Sequence, residues 1–409
     1  MPVILVGTLD TKGVEFAFVR DLIRRAGLET LVIDAGSLGP PVFPADIPRS
    51  EVFRRAGVSE GELRARSDRG EAVAAAERGI TAILAELVAQ GEVQGVLGLG
   101  GSAGTVIGTA AMRAVPFGIP KVMVSTLASG QTRPYVGGSD IIMMYPVADI
   151  AGLNQLTCTV LTNAANALVG IARARLETTA TDDARPLIAA TMFGVTTPCV
   201  DHARRILEEE GLEVVVFHAT GVGGQSMEGL VRDGRVAGLL DLTTTEMADE
   251  LVGGILSAGP DRLAAAVRAR TPQVVSVGAL DMVNFGPPAT VPAKFAGRRF
   301  HRHNPSVTLM RTSPEENAAL GAWMARTLSL ATAPVVVLLP LRGVSALDAP
   351  QGPFEDAEAD RALFDALGRG LHGHPFVRVL TRDEHINDPS FAAAAAQSLF
   401  TLMGRLQRV

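Results

Sequence analysis

Residues 98–105 read GLGGSAGT and lie between an apolar run, residues 93–97, and a helical pattern of small residues, 106–113. Glycines let the backbone approach a ligand closely, and the first turn of a helix presents N–H groups that have no partner within the helix. The stretch therefore predicts a strand, a tight turn and a helix, with an anion-binding site at the turn.

A second polar loop, GTLDTKG at residues 7–13, follows the first apolar strand, residues 3–6. Apolar runs then alternate with helical patterns, which is typical of a parallel sheet in an α/β domain. Such a sheet binds ligands beyond the carboxyl ends of its strands, so both loops should contribute to one site. The predicted cofactor-binding residues are Thr8, Asp10, Thr11, Lys12, Gly100, Gly101, Ser102, Gly104 and Thr105.

This set of amides, hydroxyls, one cation and one carboxylate suits a polyphosphate with Mg²⁺. Lys12 would neutralise phosphate charge, and Asp10 would hold the metal directly or through water. Only three of the 37 basic residues are lysines. A lysine retained in such a chain indicates a place where a compact ammonium matters. The alternative is that Asp10 and Thr11 merely cap the helix that follows.

The sequence lacks the GxxxxGK[ST] signature of the P-loop NTPases. Residues 98–103 do match the dinucleotide-binding pattern GxGxxA. However, the acidic residue expected about twenty positions later would fall near residues 121–124, where none occurs. A nicotinamide cofactor is therefore the poorer choice.

The length of 409 residues predicts two domains. The polar stretch 178–185 is the best linker, and after it the order of motifs repeats, with GVTTP, EEGLEVVVF, VAGLLDLTTTEMADE and PQVVSVGAL in sequence. We therefore predict two Rossmann-like parallel-sheet domains of related topology, residues 1–180 and 181–409. Residues 50–70 read as a charged, irregular lid or surface excursion, and a long helix should follow the apolar run 141–145 and reach about residue 176.

The second domain offers side chains for acid–base or metal chemistry after its strands. Asp281 lies in GALDMVNFG, His301 and His303 lie in RRFHRHNP, and Arg311 ends the next strand. We predict these four residues as catalytic, with Arg311 pairing with a substrate carboxylate. The two histidines share one face of an extended segment, which fits a solvated pair as well as a ligand pair.

Composition excludes several classes of function. A net charge of −6, without a basic stripe carrying aromatic residues, argues against nucleic-acid binding. Two cysteines provide neither a disulfide framework nor a CxxC metal site, which favours the cytoplasm. The chain begins without a signal-peptide pattern, and no apolar run of about 18 residues predicts a membrane span.

Several motifs recur in this order in one known family: GTLDTKG, GLGGSAGT, MVSTLASG, YVGGSDI, GVTTPCV, FHATGVGGQSME, LDLTTTEMADEL, GALDMVNFG and HNPSVTLMRT. The chain resembles the uncharacterised bacterial and fungal family that is similar to the ATP-binding region of the tomato mosaic virus resistance protein. The resemblance covers nearly the whole chain. It implies two Rossmann-like domains, ATP with Mg²⁺ bound by the N-terminal one, and a homodimer.

The plant protein continues into a TIM-barrel region that we do not expect in this protein, so its antiviral role should not be transferred. We expect an ATP-binding enzyme that acts on an unidentified small molecule between the two domains. The alternative is a non-catalytic, ATP-responsive module that works with a separate TIM-barrel protein, the partner that the resemblance implies. A third alternative is a redox enzyme that retains a dinucleotide.

Overall fold

The computed structural model describes residues 1–37, 39–66, 68–177 and 185–406. The chain divides into two compact units, residues 1–182 (unit 1) and residues 183–409 (unit 2). Each unit contains a parallel sheet with helices in its connections. This confirms the predicted α/β class. Of the predicted linker, residues 178–184 lie outside the described part of the chain.

Unit 1 alternates strands and helices from its first residues onwards. Its strands are β1 (Val3–Gly7), β2 (Thr30–Asp34), β3 (Gly95–Gly100), β4 (Lys121–Ser125) and β5 (Ile142–Met144). Its helices are α1 (Leu9–Arg25), α2 (Arg49–Arg55), α3 (Glu60–Arg66), α4 (Arg69–Ala89), α5 (Ser102–Arg113), α6 (Arg133–Val136) and α7 (Gln155–Glu177). The sheet order is β2-β1-β3-β4-β5, and every neighbouring pair is parallel.

The central strands of unit 1 are apolar because both of their faces are covered. Every residue of β1, β3 and β4 is buried, as expected of parallel strands with helices on either side. Small residues let α5 lie close to the sheet. A Cβ atom on Gly98 would stand 2.9 Å from the Met123 sulfur and 3.4 Å from the Gly108 Cα atom.

Unit 2 has a larger sheet and an additional small one. The main sheet contains β6 (Leu187–Met192), β7 (Glu213–His218), β8 (Gly238–Thr243), β9 (Gln273–Gly278), β13 (Val335–Pro340) and β14 (Val377–Arg382). The small antiparallel sheet contains β10 (Met282–Phe285), β11 (Phe300–Asn304) and β12 (Val307–Arg311). The helices are α8 (Thr197–Glu209), α9 (Val222–Arg232), α10 (Glu246–Val252), α11 (Ala264–Ala269), α12 (Pro314–Leu328), α13 (Ala357–Gly370) and α14 (Pro389–Leu406).

The two main sheets have related strand orders. The sheet of unit 2 runs β14-β13-β9-β8-β6-β7, and all its neighbouring pairs are parallel. When the strands of each main sheet are counted along the chain, both units follow the order 2-1-3-4-5, and unit 2 adds a sixth strand. The predicted relationship between the two domains is confirmed at this level. The small sheet is an insertion between the fourth and fifth strands of unit 2.

Two regions differ from the sequence-based expectation. Residues 49–66 contain the helices α2 and α3 instead of an irregular excursion, because Val52 and Phe53 are buried. The Val52 carbonyl lies so close to α4 that a Cβ atom on Gly79 would stand 1.9 Å from it. The long helix α7 begins only at Gln155, so residues 145–154 form a connection in place of its first turns.

Candidate functional site

A cavity of about 390 Å³ lies at the carboxyl ends of β1, β2 and β3. The strand order reverses between β1 and β3, which is where doubly wound sheets bind their ligands. All of the predicted cofactor-binding residues except Thr105 line this cavity: Thr8, Asp10, Thr11, Lys12, Gly100, Gly101, Ser102 and Gly104. The structure therefore brings the two polar loops together.

The turn between β3 and α5 depends on its glycines. A Cβ atom on Gly100 would stand 3.0 Å from the Gly104 Cα atom, and one on Gly104 would stand 3.1 Å from the Leu99 carbonyl oxygen. Gly101 precedes the helix as its N-cap residue. The amides of the first helical turn have no intrahelical acceptor, and they carry the positive end of the helix dipole.

Thr105 has a structural role in this turn. Its side chain is buried, and its hydroxyl contacts the Gly101 carbonyl at 2.8 Å and the Ser125 hydroxyl at 2.6 Å. Its amide donates to the Gly101 carbonyl as well. With both donors engaged inside the protein, Thr105 joins α5 to β4 and does not face the cavity.

Thr8, the N-cap residue of α1, and the first turn of α1 contribute hydroxyls and an ammonium to the cavity. The hydroxyls of Thr8 and Thr11 are 2.7 Å apart. Lys12 has φ −128° and ψ 16°, which breaks the first part of α1. Its ammonium donates to the Ile150 carbonyl. Because an ammonium has three donors, Lys12 can make this bond and still contact an anion in the cavity.

Asp10 lies in the same first turn of α1, and its side chain is 2% exposed. Its Oδ2 accepts the Gly39 amide at 3.1 Å and lies 3.9 Å from Arg49 Nη1. Arg49 also contacts Asp34, with 3.3 Å between Nε and Oδ2. This buried guanidinium holds the carboxyl ends of β1 and β2 together through their two carboxylates.

Sequence reasoning missed the other residues that line the cavity. These are Ala35, Ser37, Arg69, Ala72, Val73, Ala103, Ile107 and Asp149. Ser37 lies just beyond the end of the second predicted strand, so the rule that identified the other loops applied to it as well. Asp149 gave no such signal because the predicted helix included it.

The four predicted catalytic residues of unit 2 do not form one open site. Asp281 and Arg311 are buried. Arg311 Nη2 lies 2.7 Å from Asp360 and 3.5 Å from Asp348, so its ion pairs are internal. Its Nε donates to the Phe354 carbonyl at 2.7 Å. This differs from the expectation that Arg311 binds a substrate carboxylate, because carboxylates of the protein itself already pair with the Arg311 guanidinium.

The carboxyls around Arg311 have strongly perturbed acidity. Burial, together with the negative charges of Asp281 and Asp360, raises the pKa of Asp348 to about 9. Burial also raises the pKa of Asp281 to about 6, although the Arg311 charge and a hydrogen bond from Ser345 oppose this shift. One guanidinium therefore faces more carboxyls than it can balance, and Asp348 is the carboxyl whose raised pKa keeps it protonated at neutral pH.

The two predicted histidines lie on β11 at the edge of the small sheet. His301 is half-buried and packs edge-on against Phe354, with ring centroids 6.2 Å apart. His303 is exposed. Register along β11 shifts between Arg302 and Asn304, so the simple alternation assumed from the sequence is interrupted. Neither histidine is hydrogen-bonded to Asp281 or Arg311 within the part of the chain that the structure describes.

The threonine- and glycine-rich loops of unit 2 make their polar contacts with other residues of the protein. Arg262 is fully buried and makes a bidentate contact with Asp241 at 2.6 and 2.8 Å and a contact with Glu246 at 2.8 Å. Glu246 Oε1 accepts the amides of Gly221 and Gly224 at the start of α9. An internal carboxylate therefore occupies the place that an anionic ligand would take at this helix.

Two further properties of the described residues bear on function. No group of three or more His, Cys, Asp or Glu side chains among them is arranged to hold a metal ion. A cation at the unit 1 cavity would thus need oxygen ligands from a phosphate or from water. None of the described helices combines the length and apolar character needed to cross a membrane.

Comparison with known proteins identifies relatives over the whole chain. The model of the uncharacterised protein family UPF0261, N-terminal domain, matches residues 1–177, and that of its C-terminal domain matches residues 185–403. A UPF0261 protein of Clostridium tetani is 48% identical over 401 residues, covering 98% of both chains. Another, from Mesorhizobium japonicum, is 47% identical over 395 residues, covering 97% of this chain and 98% of the relative.

A plant relative is longer. The ToMV resistance protein Tm-1(GCR237) of Solanum lycopersicum is 40% identical over 425 residues, which cover 100% of this chain and 56% of the tomato protein. This chain thus spans about half the length of the tomato relative. The predicted relationship to bacterial proteins and to the tomato protein is confirmed, and the chain belongs to the UPF0261 family.

Proposed function

We propose that unit 1 binds ATP, with the phosphates at the turn between β3 and α5. The observation that carries this proposal is the cavity at the point where the strand order reverses, since Lys12 and the first turn of α5 line it together. A helix amino terminus and an ammonium are each favourable to an anion. Two such groups on one cavity favour a ligand with several negative charges.

The other residues of the cavity fit the remainder of a nucleotide. Hydroxyls of Thr8, Thr11 and Ser102 offer donors to phosphate or sugar oxygens, and Arg69 adds a second cation. Ala72, Val73 and Ile107 provide apolar wall, against which a base or ribose packs favourably. The choice of ATP among nucleoside polyphosphates rests on the motif resemblance to the ATP-binding region of the tomato protein.

Magnesium fits this proposal as a companion of the phosphates. In nucleotide sites Mg²⁺ keeps several waters and is held by one or two carboxylates together with phosphate oxygens. The carboxylates on the cavity wall are Asp10 and Asp149. When bound, the cation would screen phosphate charge, while Lys12 and the α5 amides would orient the phosphates.

Calorimetric titration of the full chain with ATP in excess Mg²⁺ tests the proposal. Lys12→Met removes the ammonium, and we expect the affinity to fall by about tenfold to a hundredfold, the equivalent of a charge-assisted hydrogen bond. The matched control is Lys294→Met, which removes an exposed lysine of unit 2. Equal affinity of the Lys12→Met protein and the wild type would refute the assignment.

Two roles for the bound nucleotide remain as proposals. The first is an ATP-dependent enzyme with an unidentified small-molecule substrate. The second is a non-catalytic, ATP-responsive module that acts with a TIM-barrel partner and forms a homodimer. The second is favoured by the internal ion pairs of Arg311, because the predicted catalytic residues of unit 2 are already engaged within the protein.

The two roles differ in turnover. ATP hydrolysis should be followed with and without a set of small metabolites, and sedimentation velocity should be measured with and without ATP. Turnover that a metabolite stimulates supports the enzyme. A change in oligomeric state or in affinity for a barrel protein, without turnover under any condition, supports the module.

A further inference from the structure

The two carboxylates that line the unit 1 cavity are held in different ways. Asp10 is almost completely buried, accepts the Gly39 amide and lies next to the Arg49 guanidinium. A fixed cationic side chain therefore already stands beside this carboxylate. A Cβ atom on Gly36 would stand 2.6 Å from the Asp10 carboxyl carbon, so the chain after β2 is packed directly against it. Asp10 thus organises the cavity wall.

Asp149 also lines the cavity, and it is exposed. Its Oδ1 accepts the amide of the next residue, Ile150, at 2.8 Å. This contact fixes the side-chain direction and uses only one acceptor position of the carboxylate. Within the described part of the chain, the other oxygen of Asp149 receives no hydrogen bond and no ion pair. The carboxylate therefore retains the capacity to bind a cation.

The segment that carries Asp149 is attached to α1 at two points. The Ile150 carbonyl accepts the Lys12 ammonium. The Gly152 amide donates to Glu15 Oε1 at 2.7 Å, and Glu15 is itself buried. The side chain of Ile150 is fully buried in the core of unit 1. These contacts place Asp149 next to the ammonium that we assign to phosphate binding.

The backbone just before Asp149 is strained. Val147 has φ +68°, and the Ala148 amide donates to the Pro146 carbonyl at 2.8 Å, which closes a three-residue turn. A β-branched residue in the left-handed region costs about 1–3 kcal/mol and persists where surrounding contacts impose it. The Val147 side chain is 67% exposed, so its own packing does not impose the conformation. The chain that follows is held to α1 at residues 150 and 152.

We propose that Asp149 is the carboxylate that holds Mg²⁺ carried by the nucleotide phosphates, directly or through a water molecule. This assignment rests on the proposed binding of ATP. Mg²⁺ selects hard oxygen ligands, and the carboxylate of Asp149 and the hydroxyl of Ser102 line the same cavity. Asp10 keeps its structural role beside Arg49.

Asp149→Asn tests the assignment, because asparagine keeps an oxygen that accepts the Ile150 amide. The affinity for ATP should be measured by calorimetry in excess Mg²⁺ and again in excess EDTA. We expect Mg²⁺–ATP to bind on the order of tenfold to a hundredfold more weakly, as when a metal loses a positioning carboxylate. Metal-free ATP should bind more tightly, because a negative charge near its phosphates is removed.

These opposite shifts distinguish the assignment from other roles of Asp149. A purely structural residue would weaken both forms of ATP, and simple repulsion of phosphate would make the variant bind both more tightly. The control variant is Asp21→Asn, which removes a half-exposed carboxylate on α1 that does not line the cavity. Asp10→Asn should weaken both forms by a similar factor, because it disturbs the wall.

A spectroscopic measurement gives a second readout. Mn²⁺ replaces Mg²⁺ with the same ligands, and its electron paramagnetic resonance spectrum in the ternary complex with ATP should change in Asp149→Asn and not in Asp21→Asn. If wild type bound Mg²⁺–ATP and Asp149→Asn bound it equally well, Asp149 would not hold the cation, and the proposed function would stand. If wild type bound ATP in neither condition, the proposed function would be wrong and this assignment with it.

Discussion

Replacing Asp348 by asparagine should change how the stability of unit 2 depends on pH. Asp348 faces Asp281, Asp360 and Arg311, and its Oδ2 accepts the Val344 amide at 2.9 Å. Burial raises its pKa from 3.8 to about 9, with the neighbouring carboxylates adding to the shift. The folded protein therefore keeps a proton on this carboxyl across the neutral range, whereas the unfolded chain releases it.

The sign of the effect follows from this proton uptake. A carboxyl whose pKa is raised on folding destabilises the folded state, and this destabilisation is complete at a pH above the pKa of the folded protein. It disappears as the pH falls to the pKa of the unfolded chain. Between about pH 5 and pH 8, one such group lowers the free energy of unfolding by up to about 1.4 kcal/mol for each unit of rising pH. Asparagine carries no titrating proton and can still donate to Asp360, so the variant should lose up to this much of the slope.

Trp323 provides the assay, because it is the single tryptophan of the chain and lies in α12 of unit 2. Urea unfolding followed by its fluorescence, at several pH values in this range, gives the slope for the wild type and for Asp348→Asn. Asp281, whose pKa burial raises to about 6, leaves a residual slope in both. The control is Asp383→Asn, an exposed carboxyl whose pKa the neighbouring Arg342 lowers. Identical slopes for the wild type and Asp348→Asn would refute the proton uptake.

Other contacts give predictions for stability. Asp140→Asn should destabilise unit 1 by about 3 kcal/mol, seen in thermal circular dichroism, because it leaves the fully buried Lys121 ammonium without its carboxylate at 2.5 Å. Gly224→Ala should lower the free energy of unfolding of unit 2 by about 1–3 kcal/mol, because the new Cβ would stand 2.1 Å from Glu246 Oε2. Urea unfolding followed by Trp323 fluorescence measures this change. Arg49→Met should lower the free energy of unfolding of unit 1 by about 3–5 kcal/mol. It should also abolish ATP binding measured by calorimetry, and a folded variant with full affinity would contradict this.

The sequence alone was sufficient to predict the parallel sheet of unit 1 and about half of the residues that line its cavity. Central parallel strands are buried on both faces, so β1 and β3 read as uninterrupted apolar runs and their ends could be located. The glycines at 98, 100 and 104 also had a local signature, since a helix packed directly on a strand needs them. Once both loops were assigned to strand ends, the geometry of a parallel sheet brought them together without further information.

The parts of the candidate site that the sequence did not predict depend on contacts between residues far apart in the chain. Lys12 and Ile150 are separated by 138 positions, and nothing near either residue indicates their bond. Nothing in the local sequence marks Arg49 or Arg262 as buried, because most arginines are exposed, and their carboxylate partners come from other elements. Asp149 was missed for a related reason, because the predicted helix included it, whereas the neighbouring residues Ile150 and Gly152 bond to Lys12 and Glu15, which are distant in sequence.

The two units share a strand order and differ in the residue that follows the third strand and begins the next helix. In unit 1 the turn after the third strand leads to Ser102 and remains open to the cavity. In unit 2 it leads to Glu246, which is fully buried, pairs with Arg262 and occupies the amides at the start of α9. A carboxylate built into the chain gives α9 the stabilisation that a bound anion gives elsewhere, without a ligand. The shared topology therefore brings the loops at the carboxyl ends of the strands together in both units, whereas in unit 2 the side chain that begins α10 occupies the start of the neighbouring helix α9.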